Sequence, residues 1–363
     1  MAWLGFTDGT ENHFDPDGLA QCSTEAPKPV HPDRLLPRGS LMVETRLSPD
    51  ARPQTLLAFN RTYPWACCFS LQALPQGGFT LIESQGETVR HATLPHQPEG
   101  RLDIIRLTYS WDAPAKWGRL ALERTETDKV HMVALKPPHP MPLADLKTML
   151  TDAQQRDMDP DVAVVALSGQ IEPLGPMPGL TGQTPVATPQ GFVAAGHLKR
   201  GDRVITEGGN AVPVLQAVAR KVPAHGSFRP VRLRAPYFGL RCDITVAPHQ
   251  RLVLRGSDVE YTFGREAVLV PARHLIDGVS AFHVDGPRLV TYHQMVLPAH
   301  EVLLAAGAPL ESLYIGRLRR KPAELAASLL AEAQRDHLPE HPCPVWPVLQ
   351  PFEAITLAMG RAA

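Results

Sequence analysis

The chain is organised around residues 179–206, GLTGQTPVATPQGFVAAGHLKRGDRVIT. Short apolar segments alternate here with turn-forming residues, and Gly201 and Asp202 give a turn signal directly before Val204. Turn chemistry and strand patterning combine over such a length nowhere else in the sequence. The stretch therefore predicts tightly connected β-strands, and the residues before it read as a separate module.

Length and composition indicate an ordinary globular protein with room for two domains. Of 363 residues, 44% are hydrophobic and 20% charged, with 36 basic against 37 acidic side chains. Because the charges nearly cancel, the strong positive field of nucleic-acid-binding proteins is missing, and we expect no nucleic-acid partner. The 37 prolines and 27 glycines favour short strands over long helices. A mostly β fold is predicted.

Cysteine usage and hydropathy bear on the cellular compartment. The five cysteines form no CxxC pair, so neither a zinc knuckle nor a disulfide framework is indicated, and a reducing compartment fits best. The N-terminal residues lack the basic leader and apolar core of a signal peptide, and no run of about 18 apolar residues occurs. We therefore expect no membrane span, and a protein that is cytoplasmic or exported without a cleavable signal peptide.

Residues 39–136 show the pattern of an antiparallel β-sandwich. Seven short β-like segments recur there between turn signals: SLMVETRL, TLLAFNR, ACCFSLQAL, FTLIES, RLDIIRLTYSW, GRLALERTE and VHMVAL. One face of the predicted strand DIIRLTYSWD carries the alternating residues Ile105, Leu107, Tyr109 and Trp111.

The order TLIES, RLDIIRLTYSWD, GRLALE resembles a concanavalin-like (laminin-G-like) sandwich. Such sandwiches often bind sugars, so the resemblance implies a carbohydrate-binding protein as one hypothesis, with Trp111, Trp117 or Tyr109 as the stacking face. Aromatic side chains at these positions also suit a protein core. The partner is therefore open between a glycan and a protein ligand.

The stretch 179–206 resembles the opening block of a Hint (hedgehog/intein) domain, in the bacterial form with the phrase T-x-(V/I)-A-T-P-x-G … L-x-x-G-D-x-V-x-T. The later phrase DITVAPHQRLVLRG resembles D-x-x-V-S-P-x-H-R-V-L-L-R-G. The family's closing phrase is matched by His293, His300, Glu301, Gly307, Glu311 and Ser312. The resemblance covers residues 176–316 and implies the all-β fold of autoprocessing proteins.

The resemblance also implies where the chemistry would lie. In such proteins a Cys or Ser at the head of the block attacks the carbonyl of the preceding residue, and a His near that amide donates a proton. In this chain the nucleophile position falls on Gly179 and the histidine position on Gln250, with His249 one residue earlier. Glycine has no attacking atom, and along a strand a shift by one residue would turn His249 to the opposite face. A degenerate, non-cleaving Hint module that acts as a structural or binding unit is predicted.

Self-processing through other groups stays open as an alternative. Thr181 or Thr184 would be the nucleophile, and His249 and His293 would transfer protons; as the competing interpretation, the two threonines satisfy backbone groups of a turn. His293 and His300 also suggest zinc, but no cysteine or carboxylate set at ligand spacing accompanies them. We predict no metal and no cofactor. Patterns of a phosphate loop or a zinc-protease helix are absent from the sequence.

The remaining segments complete the predicted organisation. Residues 1–38, rich in Pro, Asp and Gly, are predicted to form an irregular arm. A proline-rich stretch opens residues 137–175, which are predicted to be a linker with a short helix and one strand. Residues 317–363 are predicted to form a short C-terminal amphipathic helix and a tail.

Overall fold

A computed structural model gives the structure of the chain, which divides into two compact units, Met1–Pro173 and Leu174–Ala363. It describes residues 3–19, 29–47, 52–75, 77–96, 103–125, 127 and 129–362. Most regular structure in both units is in antiparallel strands, which confirms the mostly β prediction. Within the described residues, no helix is long and apolar enough to span a membrane.

The N-terminal unit pairs two antiparallel sheets around one core. Its elements are β1 (Trp3–Thr7), β2 (Asn12–Phe14), β3 (Leu35–Leu36), β4 (Arg38–Leu47), β5 (Gln54–Arg61), β6 (Cys67–Ala73), β7 (Phe79–Gln85), β8 (Thr88–Leu94), β9 (Asp103–Asp112), β10 (Trp117–Arg124), β11 (Val130–Leu135), β12 (Met141–Pro142), α1 (Leu143–Thr151), β13 (Arg156–Asp157) and β14 (Val162–Ser168). The larger sheet has the order β11-β10-β9-β4-β14-β1-β2 and the smaller one β13-β5-β6-β7-β8, while β12 pairs with β3. Side chains from both sheets share a single hydrophobic cluster, as in a sandwich.

Strand β9 shows the predicted alternation. The side chains at Ile105, Leu107, Tyr109 and Trp111 are at most 1% exposed. The two aromatic rings stack on each other inside the core, with centroids 5.2 Å apart. The hypothesis that Tyr109 or Trp111 stacks on a glycan is therefore wrong, because neither ring has a face toward solvent. Trp117, the third candidate, is 38% exposed.

Segments on either side of residues 39–136 also build this unit. Strand β1 pairs with β14, and β14 pairs with β4 in the larger sheet. Helix α1 contributes Leu146, Met149 and Leu150 to the core, each fully buried. Their spacing places them on one face of the helix, which packs against the sandwich.

The C-terminal unit contains two six-stranded sheets and one two-stranded ribbon. Its elements are β15 (Leu180–Thr181), β16 (Pro185–Thr188), β17 (Gly191–Ala194), β18 (Arg203–Ile205), β19 (Ala211–Pro213), β20 (Gln216–Pro223), β21 (Val231–Leu233), β22 (Ile244–Val246), β23 (Arg251–Arg255), α2 (Ser257–Phe263), β24 (Ala267–Pro271), β25 (Ala281–His283), β26 (Leu289–Val296), β27 (Val302–Ala305), β28 (Ala308–Glu311), α3 (Pro322–Ala326) and α4 (Pro351–Ala362). Short 3₁₀ helices cover Ala195–His197, Gly226–Phe228, Tyr237–Gly239, Ala272–Leu275, Leu318–Arg320 and Arg335–His337. The sheet orders are β20-β26-β15-β22-β21-β25, β17-β16-β27-β28-β23-β24 and β18-β19.

The predicted turn before β18 is present. Gly201 has a positive φ of 95°, which favours glycine, and the Lys199 amide donates to Asp202 Oδ2 at 2.8 Å. The turn delivers Val204 into the same hydrophobic cluster as Val186 of β16. The turn thus lets both halves of the opening stretch, residues 179–206, pack into the same hydrophobic core.

The segment after β28 contains only a short helix before the C-terminal one. Helix α3 begins at Pro322 and ends at Ala326, because Ser328 Oγ donates to the Leu325 carbonyl at 2.8 Å and accepts from the Leu330 amide at 3.1 Å. Such local side-chain bonds compete with helix continuation. The C-terminal helix is α4, whose Ala354 and Leu357 pack into the main cluster of the unit.

Candidate functional site

The two altered positions of the Hint-like phrases meet in space. Leu180 of β15 pairs with Val246 of β22, and the Ala247 amide donates to the Gly179 carbonyl at 2.7 Å. From Ala247 the chain turns, with the Gln250 amide donating to the Ala247 carbonyl at 3.0 Å. The head of the opening block therefore lies beside the turn that carries Gln250.

Gln250 fills the space beside Gly179. Both residues are buried, and a Cβ atom placed on Gly179 would lie 2.9 Å from both Cβ and Cδ of Gln250. Real Cβ contacts are wider than 3.0 Å. A cysteine or serine at position 179 therefore needs a different conformation, or a different residue, at position 250.

The amide of Gln250 is held in a buried polar network. Its Nε2 donates to the Glu311 carbonyl at 3.2 Å, and its Oε1 accepts from Gln294 Nε2 at 2.9 Å. Gln294 Nε2 also donates to the Glu311 carbonyl, at 3.0 Å. Gln250 and Gln294 are each 2% exposed. Since an amide does not titrate, this network ties strands together but supplies no general acid or base.

His249 contacts the chain just before the opening block. Its Nε2 lies 3.0 Å from the Met177 carbonyl, and because a carbonyl can only accept, Nε2 donates. The contact is to Met177, two residues before Gly179. Strand alternation does not apply, because residues 247–250 form a turn between β22 and β23. His249 and Gln250 thus both contact residues 177–179.

The two threonine candidates bond to each other. Thr181 Oγ1 donates to the Thr245 carbonyl at 2.7 Å, and the Thr184 hydroxyl lies 3.1 Å from it. Since the Thr181 hydrogen points to the carbonyl, Thr184 is the donor of the second bond. The Thr184 amide donates to the Thr181 carbonyl at 3.0 Å, which closes a turn. These bonds satisfy a turn, whereas an activated nucleophile directs its hydrogen to a base.

His293 lies on β26, opposite Leu180 of β15. Its ring occupies room left by two glycines: a Cβ on Gly182 would lie 3.2 Å from Nε2, and one on Gly196 would lie 3.4 Å from Cε1. Burial lowers the pKa of His293, so the neutral imidazole is favoured. The structure brings His293 next to the turn of Gly182, one residue from Thr181.

Two side chains of the closing phrase, His300 and Ser312, form hydrogen bonds with backbone groups of the unit. His300 Nε2 donates to the Ser312 carbonyl at 3.2 Å, and its Nδ1 accepts from the Val345 amide at 3.0 Å. Ser312 Oγ in turn accepts from the Glu301 amide at 3.1 Å. In the described part of the chain, no group of three or more His, Cys, Asp or Glu residues is arranged to hold a metal ion.

Two contributors to this region escaped sequence reasoning. Gln294, a buried polar residue of β26, completes the network of Gln250. His341 accepts from the Ile315 amide at 3.3 Å and donates to the Leu297 carbonyl at 3.0 Å. Gln294 lies directly after His293 in a strand of mixed polarity, and His341 lies in a proline-rich tail, so neither position carries a distinctive pattern.

Comparison with known proteins supports the assignment of the C-terminal unit. Residues 178–317 match the family model of the Hint domain. Among solved structures, the chain is similar to the MchDnaB-1 intein (N145AA), with 18% identity over 37% of this chain and 98% of that chain and a TM-score of 0.27. It is similar to the Ruminococcus gnavus IT-sialidase CBM40 bound to α2,6 sialyllactose, with 11% identity over 37% of this chain and 77% of that chain and a TM-score of 0.26. It is also similar to the LG1-3 region of the laminin α2 chain, with 6% identity over 79% of this chain and 54% of that chain and a TM-score of 0.25. No curated protein matches. The resemblance drawn from three phrases is confirmed: the C-terminal unit contains a Hint domain.

Proposed function

We propose that the Hint domain at residues 178–317 does not cleave the chain and serves as a structural or binding unit. The packing of Gln250 against Gly179 carries this proposal. The position that would attack has no side chain, and the space beside it is taken by an amide that is bonded elsewhere. A first step of acyl transfer has no nucleophile there.

The neighbouring hydroxyls support the same function. The Thr184 hydroxyl donates to Thr181 Oγ1 within the turn, and the Thr181 hydroxyl donates to the Thr245 carbonyl of β22 at 2.7 Å. His249 donates its Nε2 hydrogen to the Met177 carbonyl. That nitrogen therefore has no lone pair to take a proton from a threonine hydroxyl. Attack by Thr181 would require the hydrogen bonds of the two threonine hydroxyls and of His249 Nε2 to break first.

Intact mass spectrometry and a denaturing gel of freshly purified full-length protein test the proposal. We expect one undivided species over several days at acidic, neutral and alkaline pH, with and without added thiol. The matched control pair is Thr181→Ala and Gln183→Ala, the latter an exposed residue of the same turn. Fragments that separate near Gly179, persist in Gln183→Ala and disappear in Thr181→Ala would overturn the proposal in favour of a threonine nucleophile.

A further inference from the structure

Residues 341–349, HPCPVWPVL, lie along the last strand of one sheet of the C-terminal unit, and we call this segment the strap. Strand β24 ends the sheet order β17-β16-β27-β28-β23-β24. The strap bonds to its outer side, because the Leu269 amide donates to the Pro347 carbonyl at 2.8 Å and the Leu349 amide donates to the Leu269 carbonyl at 3.0 Å. The strap thus satisfies backbone groups that an edge strand would otherwise present to solvent.

The strap also covers an apolar cluster beside that edge. Trp346 and Val348 pack on it, and the Arg255 guanidinium lies 5.0 Å from the centroid of the Trp346 ring. The buried members of the cluster are Val253, Ala267, Leu269 and Val302. Proline has no amide hydrogen, so the three prolines of the strap leave it few backbone donors for bonding to the unit. The side chains that attach the strap are therefore important for holding it in place.

The first attachment is made by His300, which is buried at the end of the turn after β26. Its Nδ1 accepts from the Val345 amide, in the middle of the strap, at 3.0 Å. Its Nε2 lies 3.2 Å from the Ser312 carbonyl. Because an amide can only donate and a carbonyl can only accept, Nδ1 holds a lone pair and Nε2 holds the hydrogen. The ring is neutral in this arrangement.

The second attachment is His341, the first residue of the strap, which is 1% exposed. Its Nδ1 accepts from the Ile315 amide at 3.3 Å, and its Nε2 donates to the Leu297 carbonyl at 3.0 Å. The same reasoning makes this ring neutral. Burial lowers the pKa of His341, and the bond to the Leu297 carbonyl opposes this lowering only in part.

We propose that His300 and His341 form an acid-sensitive latch, which holds the strap over β24 while both rings are neutral and releases it when they take up protons. A proton on Nδ1 turns the acceptor of each backbone amide into a second donor, so both bonds are lost. The two ring centroids are 5.9 Å apart, so two positive charges there would also repel each other. Because His341 lies outside the Hint match at residues 178–317, the latch does not depend on the function proposed for that domain.

The charges around His300 permit proton uptake once the strap bond breaks. Glu311 Oε2 lies 3.4 Å from His300 Nε2 and can serve as the counterion of the protonated ring. Arg251 Nη1 donates to the same oxygen at 3.2 Å, which keeps the carboxylate in position but weakens its field at the ring. A protonated His300 thus retains a partner on its Nε2 side while its Nδ1 side repels the strap.

The groups around His341 supply less compensation. The neighbouring Glu340 carboxylate is already paired with Arg319 and Arg320. The Tyr314 ring centroid lies 6.1 Å from that of His341 and 5.1 Å from that of His300, and a tyrosine carries no charge below about pH 7. A proton on His341 is therefore best accommodated when the ring moves out toward water, which takes the start of the strap with it.

Fluorine NMR of the full chain labelled with 5-fluorotryptophan tests the latch. Of the five tryptophans only Trp346 lies in the strap, and Trp346→Phe identifies its resonance. As the pH falls from about 7.5 to about 5, we expect this resonance to move to the position of a solvent-exposed tryptophan while the other four stay in place. The titration ends above the range in which His274, whose pKa is lowered to about 4, takes up its proton.

Glutamine variants separate the latch from other effects of acid. In the double variant His300→Gln and His341→Gln, each amide can still donate and accept but does not titrate, so the Trp346 resonance should keep its position over the whole range. His337→Gln changes an exposed histidine just before the strap and should behave like the unaltered chain. Circular dichroism checks that each variant is folded. The unaltered chain is decisive by itself, because a latch requires Trp346 to move before the other tryptophans.

Three outcomes would overturn the latch. The first is a Trp346 resonance that keeps its position down to about pH 5 in the unaltered chain. The second is that all five tryptophan resonances move together, which would mean that acid unfolds the chain as a whole. The third is that a folded double variant releases Trp346 at the same pH as the unaltered chain, which would assign the titration to other groups.

Discussion

Gln250 occupies the volume that a side chain on Gly179 would need, with its Cβ and Cδ each 2.9 Å from the position of a Cβ atom there. The two residues stand at the nucleophile and histidine positions of the Hint-like phrases. They are 71 positions apart in sequence, yet they form one packing unit. The residue types at positions 179 and 250 are therefore physically coupled, because a side chain at position 179 does not fit beside Gln250 in this conformation.

Gly179→Ala should destabilise the protein by about 1–3 kcal/mol, because an added methyl group must displace a well-packed buried side chain. Urea denaturation measures the loss as a lower transition midpoint. Gly208→Ala is the control, since a Cβ there would meet only Asn210 Nδ2, at an ordinary 3.5 Å.

The same packing predicts non-additive energetics. Gln250→Ala removes the Cδ and the amide group but keeps the Cβ, so Gly179→Ala should cost less in that background than in the unaltered chain. A double-mutant cycle measures the difference in unfolding free energy. Strictly additive losses would show that the two positions do not compete for one space.

Thr181→Val should cost about 1 kcal/mol, the net contribution of a typical hydrogen bond, because the Thr245 carbonyl loses its donor at 2.7 Å. Thr181→Ser keeps the hydroxyl and should have nearly the stability of the unaltered chain. Thermal unfolding of the three proteins checks this order. Equal stability of the valine and serine variants would contradict a structural role for the hydroxyl.

The predictable parts of this fold are the local ones. The alternation of β9 and the turn at Gly201 follow from neighbouring residues, so periodicity and turn chemistry identified them. Alternation could not tell whether Tyr109 and Trp111 face solvent or the core, because that depends on the sheet packed against β9. The approach of Gln250 to Gly179 and the bonds of His341 to Leu297 depend on tertiary contacts between distant segments, which no local pattern encodes.

The pH dependence of stability should include a contribution from His274. Burial and the neighbouring charge of Arg273 lower its pKa to about 4, and Arg273 Nε donates to His274 Nε2 at 3.3 Å, so the folded state holds the neutral ring. An unfolded histidine has a pKa of about 6.5. Between about pH 6.5 and about pH 4 the unfolded chain therefore binds a proton that the folded chain does not. The stabilisation that this group contributes to the folded state is fully present above about pH 6.5. It is lost as the pH falls toward about 4.

His274→Gln tests this contribution, because glutamine is polar but does not titrate. Urea midpoints measured across the window should fall less steeply with decreasing pH in the variant than in the unaltered chain. The variant removes only the share of the slope that comes from His274. Identical slopes would mean that the ring is protonated equally in the folded and unfolded states.

Tyr109→Phe should destabilise the sandwich although the ring stays in place. The Tyr109 hydroxyl donates to Glu83 Oε2 at 2.6 Å, and the two residues are 1% and 4% exposed. Burial raises the pKa of Glu83 and this hydrogen bond opposes the rise, so its loss leaves the buried carboxyl less stabilised and raises the pKa further. We expect a loss of about 1.5–3 kcal/mol, typical of a hydrogen bond to a charged group, measured by urea denaturation. The control is Tyr63→Phe, which removes an exposed hydroxyl and should change the free energy of unfolding by no more than about 0.5 kcal/mol. An equally small effect of Tyr109→Phe would show that Glu83 finds another hydrogen-bond donor.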